Sequence, residues 1–209
     1  MLYNGGMNSQ DYLDAAEEAR SFLSDTKKAL DGFIIPHRLY DVVDAVFSCK
    51  GVIVTTGLGK AGHVARKCSS SLCSLGMQSC FLNPAEASHG DVGIIREDTM
   101  LIVFSTSGKT REILETMDLA RKLSVGMIVA VTSHPESPVR EASDIVLDMG
   151  DIKEAGHLGL APTTSILIML IIADMLALCC SRVRNLTKEE FGLRHHGGYL
   201  GKKCRGEEP

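Results

Sequence analysis

Several short segments of this chain gather residue types that bind anions or move protons. Ser105-Thr106-Ser107-Gly108-Lys109-Thr110 offers hydroxyls and backbone N–H groups between an apolar run and a helical pattern. A helix N-terminus there adds favourable partial charge for an anion. Phosphate is the natural ligand; an ordinary Ser-rich turn with a capping hydroxyl is the other reading. The segment lacks the Gly-x-x-x-x-Gly-Lys-Ser/Thr spacing of a Walker loop. Gly57-Leu58-Gly59-Lys60-Ala61-Gly62 matches Gly-x-Gly-x-x-Gly, so dinucleotide binding has to be weighed. That function needs an acidic residue at the end of the next strand, where Leu82-Asn83-Pro84 stands instead. Lys60 inside the loop points to a small phosphorylated or anionic ligand, against the alternative of a glycine turn carrying a solvated lysine. Residues 83–91 bring Glu86, His89 and Asp91 into one loop, whose polarity simple solvation would explain as well. Lys153-Glu154 and Arg194-His195-His196-Gly197-Gly198 are further polar clusters. Ligand pairs on one helix face need i,i+3 or i,i+4 spacing, so adjacent histidines are weak evidence for a metal, and none is expected.

Such loops need a scaffold that points them at one place. Residues 51–56, 78–82, 100–104, 127–131 and 145–147 read as five buried strands rich in Val and Ile. Helical patterns cover 11–30 and 37–47, follow the glycine turn to about 75, follow the Ser/Thr turn to about 123, and run from a Thr-capped start at 162–165 to about 181. Continuous apolar strands alternating with helices predict an α/β fold with a parallel sheet covered on both faces. Ligands of such sheets bind beyond the carboxyl ends of the strands, which selects the loops after Thr56, Leu82 and Phe104.

Composition narrows the partners. The 209 residues suit one domain, 44% are hydrophobic and 23% charged, and the net charge is -4. A mildly acidic chain lacks the basic footprint for nucleic acid or an anionic membrane, so neither partner is expected. The cysteine count is seven, an odd number without Cys-x-x-Cys spacing, which predicts free thiols in a reducing cytoplasm. Residues 1–20 show no apolar leader core. The most apolar run, 166–180, is interrupted by Asp174 and reads as a buried helix rather than a membrane span.

Taken together, the segments resemble the sugar isomerase (SIS) domain, and within it the arabinose 5-phosphate isomerases. The carrying residues are Gly57-Leu58-Gly59-Lys60-Ala61-Gly62-His63, Ala85-Glu86-Ala87-Ser88-His89-Gly90-Asp91, Ser105-Thr106-Ser107-Gly108 with Glu112-Ile113, and Lys153-Glu154-Ala155. Leu158-Gly159-Leu160-Ala161-Pro162-Thr163-Thr164-Ser165 and His195 with Gly197-Gly198 complete the set, in family order across about residues 50–202. The resemblance implies one SIS domain over 1–209: N-terminal helices at about 9–49, a flavodoxin-like three-layer α/β/α core with a five-stranded parallel sheet at about 50–182, and an active-site segment at about 188–203. It implies cofactor-free interconversion of D-arabinose 5-phosphate and D-ribulose 5-phosphate, feeding Kdo synthesis for lipopolysaccharide or capsule. Lys60, Glu112, Glu154 and His195 match the family's catalytic positions. Glu154 is the preferred base and Glu112 the runner-up. Gly59, Ser105, Thr106, Ser107, Thr110 and His89 would hold the substrate, Ser105, Ser107 and Thr110 at its phosphate. A homotetramer with sites shared between subunits is also implied. The chain departs from the family pattern at Lys109, usually Glu, at His196, usually Pro, and at Asn83, commonly His. Many family members continue into CBS domains where this sequence stops. A related sugar-phosphate isomerase or a non-catalytic sensor would share much of the pattern.

Overall fold

In the computed structural model, which describes residues 6–207, the Val/Ile-rich runs form a single parallel sheet. Its strands are β1 (Ile53–Gly57), β2 (Ser79–Leu82), β3 (Met100–Phe104), β4 (Met127–Thr132) and β5 (Ile145–Asp148), in the order β2-β1-β3-β4-β5. The five residues of β1 and of β3 are all buried, as expected for strands covered on both faces.

Alternation along the strands sorts the core into two halves. Ile53, Met100, Ile102, Phe104, Val129 and Val131 point to one face and pack with α2 (Leu39–Ser48), α3 (Gly59–Ser74) and α7 (Thr164–Val183). Val54, Leu101, Val103, Ile128 and Ala130 point to the other, under Ala87, Val139 and α5 (Arg111–Lys122). The period of two therefore builds a three-layer sandwich. α7 has the length and apolarity of a membrane span, but residues Ile168, Met169, Ile172, Ala173 and Leu176 are buried against the sheet-side core.

The sequence misplaces some edges and omits the shortest elements. β1 begins at Ile53, because Gly51 N–H is first tied to the Asp98 carbonyl (3.1 Å). Residues read as loop include α4 (Pro84–Ala87) and a 3-10 turn at Asp91–Ile94. α6 (Pro138–Glu141), α8 (Lys188–Arg194) and α9 (Tyr199–Cys204) were also without a predicted element. Segments of four to seven residues show too little of a 3.6-residue period to register as helices. Residues 1–5, part of the stretch read as lacking a leader, lie outside the described residues, as do 208 and 209.

α1 (Ser9–Asp31) starts with a full Asn8–Asp11 capping box, yet every one of its residues stays at least partly exposed. It is tied to the loop before α7 by Glu18, whose Oε1 accepts from His157 N–H (2.9 Å) and lies 3.2 Å from its Nδ1. That backbone N–H, and then the ring, hold the Glu18 carboxyl below its ordinary value. All seven cysteines are free. Burial pushes the Cys68 and Cys180 thiols up to about 12, which makes both inert.

Candidate active site

In this strand order the chain leaves β1 toward one edge and β3 toward the other, so a crevice opens between their carboxyl ends. The register pairs Gly57 with Phe104 and Phe104 with Val131, so the loops after β1, β3 and β4 emerge side by side. The turn from β1 into α3 is tight. A Cβ on Gly62 would stand 2.6 Å from the Gly57 carbonyl oxygen, so these glycines let the helix close on the strand. α3 therefore begins inside the glycine motif, one residue before Lys60.

The loop after β3 is held by its own hydroxyls. Ser105 Oγ accepts from Gly108 N–H (3.2 Å) and lies 3.4 Å from Thr110 Oγ1. Ser107 Oγ accepts from Lys109 N–H (3.3 Å). Among the described residues no side chain caps the N-termini of α3 and α5, so their first N–H groups remain available to an anion. Gly108 has φ +63°, and a Cβ there would run into the Ser137 side chain at the start of α6. Gly108→Ala is expected to cost at least about 2 kcal/mol from the left-handed backbone and the overlap together. Urea unfolding checks this; a loss below half that value would mean that the α6 start moves aside freely.

A cavity of about 870 Å³ occupies the crevice, lined by Leu58, Gly59, Lys60, Ser105, Thr106, Ser107 and Thr110. The structure thus brings together Lys60 and all the hydroxyls predicted for the phosphate. Ser133, His134, Asp148 and Asp151 line it as well. Ser133 and His134 follow β4, Asp148 ends β5 and Asp151 lies just beyond it; the strand-end rule marks such positions, but the strand order that brings them to this crevice is not in the sequence pattern.

The remaining predicted residues stand elsewhere in the protomer. Glu112 occupies the first turn of α5, a third exposed, with Arg111 as its ionic neighbour at 4.0 Å. His89 lies exposed between α4 and the 3-10 turn. Glu154 lines a neighbouring cavity of about 800 Å³ that shares Asp148, Gly150, Asp151 and Ile152 with the first. Its Oε2 accepts from Thr163 N–H (2.9 Å), Thr163 Oγ1 (3.3 Å) and Ser165 N–H (3.2 Å). Thr163 is the N-cap of α7 by position, but Glu154 caps the helix in its place, since Thr163 Oγ1 is turned to Glu154 and to Ala155 N–H (3.1 Å). His195 ends α8, stacked on Phe191 with ring centres 4.0 Å apart and Nδ1 2.9 Å from the Phe191 carbonyl. It sits in a recess with Lys67 and Asp174. Lys67 is two turns along α3 from Lys60, roughly 10 Å by helix rise.

Known proteins share this architecture. Residues 46–179 match the family model described as the SIS domain. The chain is 36% identical over 199 residues to arabinose 5-phosphate isomerase KdsD of Pseudomonas aeruginosa, covering 94% of this chain and 61% of that protein. It therefore spans about three-fifths of the length of that curated relative. A candidate phosphosugar isomerase involved in capsule formation from Bacteroides fragilis superposes with a TM-score of 0.84 at 37% identity, covering 88% of this chain and 99% of that one. An Escherichia coli CFT073 protein in complex with arabinose 5-phosphate superposes with a TM-score of 0.80 at 30% identity, covering 90% and 100%.

Proposed function

Since this chain belongs to the SIS domain family, we propose that it is an aldose–ketose isomerase interconverting D-arabinose 5-phosphate and D-ribulose 5-phosphate. The observation that carries the reading is the crevice where Lys60 meets the Ser105–Thr110 hydroxyls and two open helix N-termini. This arrangement suits a phosphate at one end and developing negative charge at the other. Phosphate bound remotely from C1 and C2 positions the reacting carbons.

The reaction moves one proton. A carboxylate takes the C2 proton, the C1 carbonyl oxygen gains a proton, and an enediol forms. The carbon proton is then returned at C1, while the C2 hydroxyl gives up its proton and becomes the ketone. Glu154 is the base in this scheme, through the oxygen that does not hold the α7 cap. Lys60 stabilises the enediolate oxygen. His195 carries the proton between oxygens and opens any ring form. Glu112, at the same sheet end, is the reserve base. The product would serve Kdo synthesis for lipopolysaccharide or capsule. The seven free thiols agree with work in the cytoplasm.

His195 lines the recess beside Lys67 rather than the cavity at Lys60, and in this reading it reaches the site from a neighbour in a homotetramer. Support comes from the apolar surface left open: Leu13 and Leu23 on α1 are 62% and 67% exposed, and Leu193 on α8 is 78% exposed. An assembly would cover such exposed leucines. Mixing inactive Glu154→Gln and His195→Ala chains is expected to restore on the order of a quarter of wild-type activity through random pairing. Absence of any recovery after subunit exchange would place both residues in one chain's site.

The decisive assay is discontinuous, with metal-chelated protein, arabinose 5-phosphate as substrate and ribulose 5-phosphate as the product measured. Ribose, glucose and heptose phosphates run in parallel. Fast, selective turnover of the arabinose compound is expected. Turnover of another sugar would move the substrate, and binding without turnover would make the chain a sensor.

A further inference from the structure

The loop after β4 lies against the anion cradle, yet the reaction as proposed gives it no task. Ser133 and His134 N–H groups both donate to the Thr106 carbonyl, at 3.1 and 3.4 Å. Ser133 Oγ donates to the Gly150 carbonyl (2.5 Å). The segment is thus stitched to the β3 loop on one side and the β5 loop on the other, and His134 lines the cavity beside Ser105, Thr106 and Ser107.

Arg140, on α6, completes the stitching. Its Nε donates to the His134 carbonyl (3.1 Å) and its Nη2 to Asp148 Oδ2 (2.9 Å). Asp148 Oδ1 in turn accepts from Gly150 N–H (2.8 Å). One half-buried guanidinium therefore bridges the β4 loop to the end of β5, with Asp148 as its anchor. The planar fork of Arg makes two divergent bonds at fixed angles, which Lys cannot reproduce.

We propose that His134 is a binding residue for the substrate's phosphate, and that Arg140 is the positioning residue that holds His134 at the cradle by bridging its carbonyl to Asp148. The proposal rests on the sugar-phosphate reading above and adds a second wall to its phosphate end. His134 supplies a ring N–H from the β4 side of the crevice, so the phosphate is gripped by the β3 and β4 loops together. Arg140 works only through His134 and Asp148.

The test uses the intact protein with inorganic phosphate as probe, measured by calorimetry, alongside KM and kcat for arabinose 5-phosphate. His134→Ala is expected to raise the phosphate Kd and KM together by about tenfold, with kcat within about twofold. Arg140→Ala should do the same, and the double variant should be no worse than His134→Ala, the signature of one shared interaction. Arg140→Lys, which keeps the charge and guards against a folding failure, should resemble Arg140→Ala. Additive effects in the double variant, or a Lys variant equal to wild type, would overturn the positioning role. An unchanged phosphate Kd in His134→Ala would overturn the binding role. If wild-type protein binds phosphate but isomerises no sugar, the isomerase reading fails while the phosphate arm still decides this one.

Discussion

Glu154→Gln is expected to lower kcat by about 10³-fold while leaving thermal stability near wild type. General-base removal costs on the order of 10²- to 10⁴-fold. The structure explains why the fold should survive. Glu154 Oε2 holds the N-terminus of α7 through Thr163 and Ser165 N–H. A glutamine can place its carbonyl oxygen where Oε2 stands and keep both bonds, while its amide nitrogen replaces the oxygen free for chemistry. Glu154→Ala removes both roles. It should lose activity equally and also about 1–2 kcal/mol of stability, because the helix end is left with orphaned donors. Steady-state kinetics paired with calorimetric melting separates the two. Near-wild-type turnover in the Gln variant would make Glu154 a cap alone and move the base to Glu112, whose Gln variant would then carry the activity loss.

The second large effect belongs to Lys60. Lys60→Met keeps most of the aliphatic stem and removes the charge, so α3 should form unchanged. The expected loss is about 10²- to 10³-fold in kcat/KM, the size seen when one stabiliser of a developing oxyanion is deleted. Its division between kcat and KM is informative. A fall carried by kcat assigns Lys60 to the enediolate; a rise confined to KM assigns it to binding a group that is anionic throughout. The second outcome would contradict the role given to Lys60 here and place it with Ser105 and Thr110 on the phosphate. Lys109 is exposed beside the cradle and is not among the residues lining the cavity.

Local pattern was enough for the frame and for the Ser105–Thr110 turn beside Lys60. Five apolar runs, each next to a turn or helix signal, could only be buried as a parallel sheet with two covers, and β3 was read to the residue (Met100–Phe104). The Ser105–Thr110 turn was legible as a unit because its parts are consecutive: they fold on one another through bonds spanning two to five residues. Lys60 was legible for the same reason, sitting one residue into a helix whose start the glycines mark. The short helices α4, α6, α8 and α9 were not, since their existence depends on caps and packing rather than on a repeating apolar face.

Tertiary structure alone decided what stands opposite that cradle. Ser133, His134 and Asp148 have ordinary loop and strand-end identities; only the β1-β3-β4-β5 neighbourhood turns them toward Lys60. The same folding gave Glu154 a structural partner nine to eleven residues away at the head of α7, and it carried His195 to the far part of α3 beside Lys67. Side-chain type and spacing specify which groups a chain owns and which near neighbours they meet. Which distant groups share a cavity is set by strand order and helix docking, where burial of apolar faces, blind to chemistry, chooses the partners.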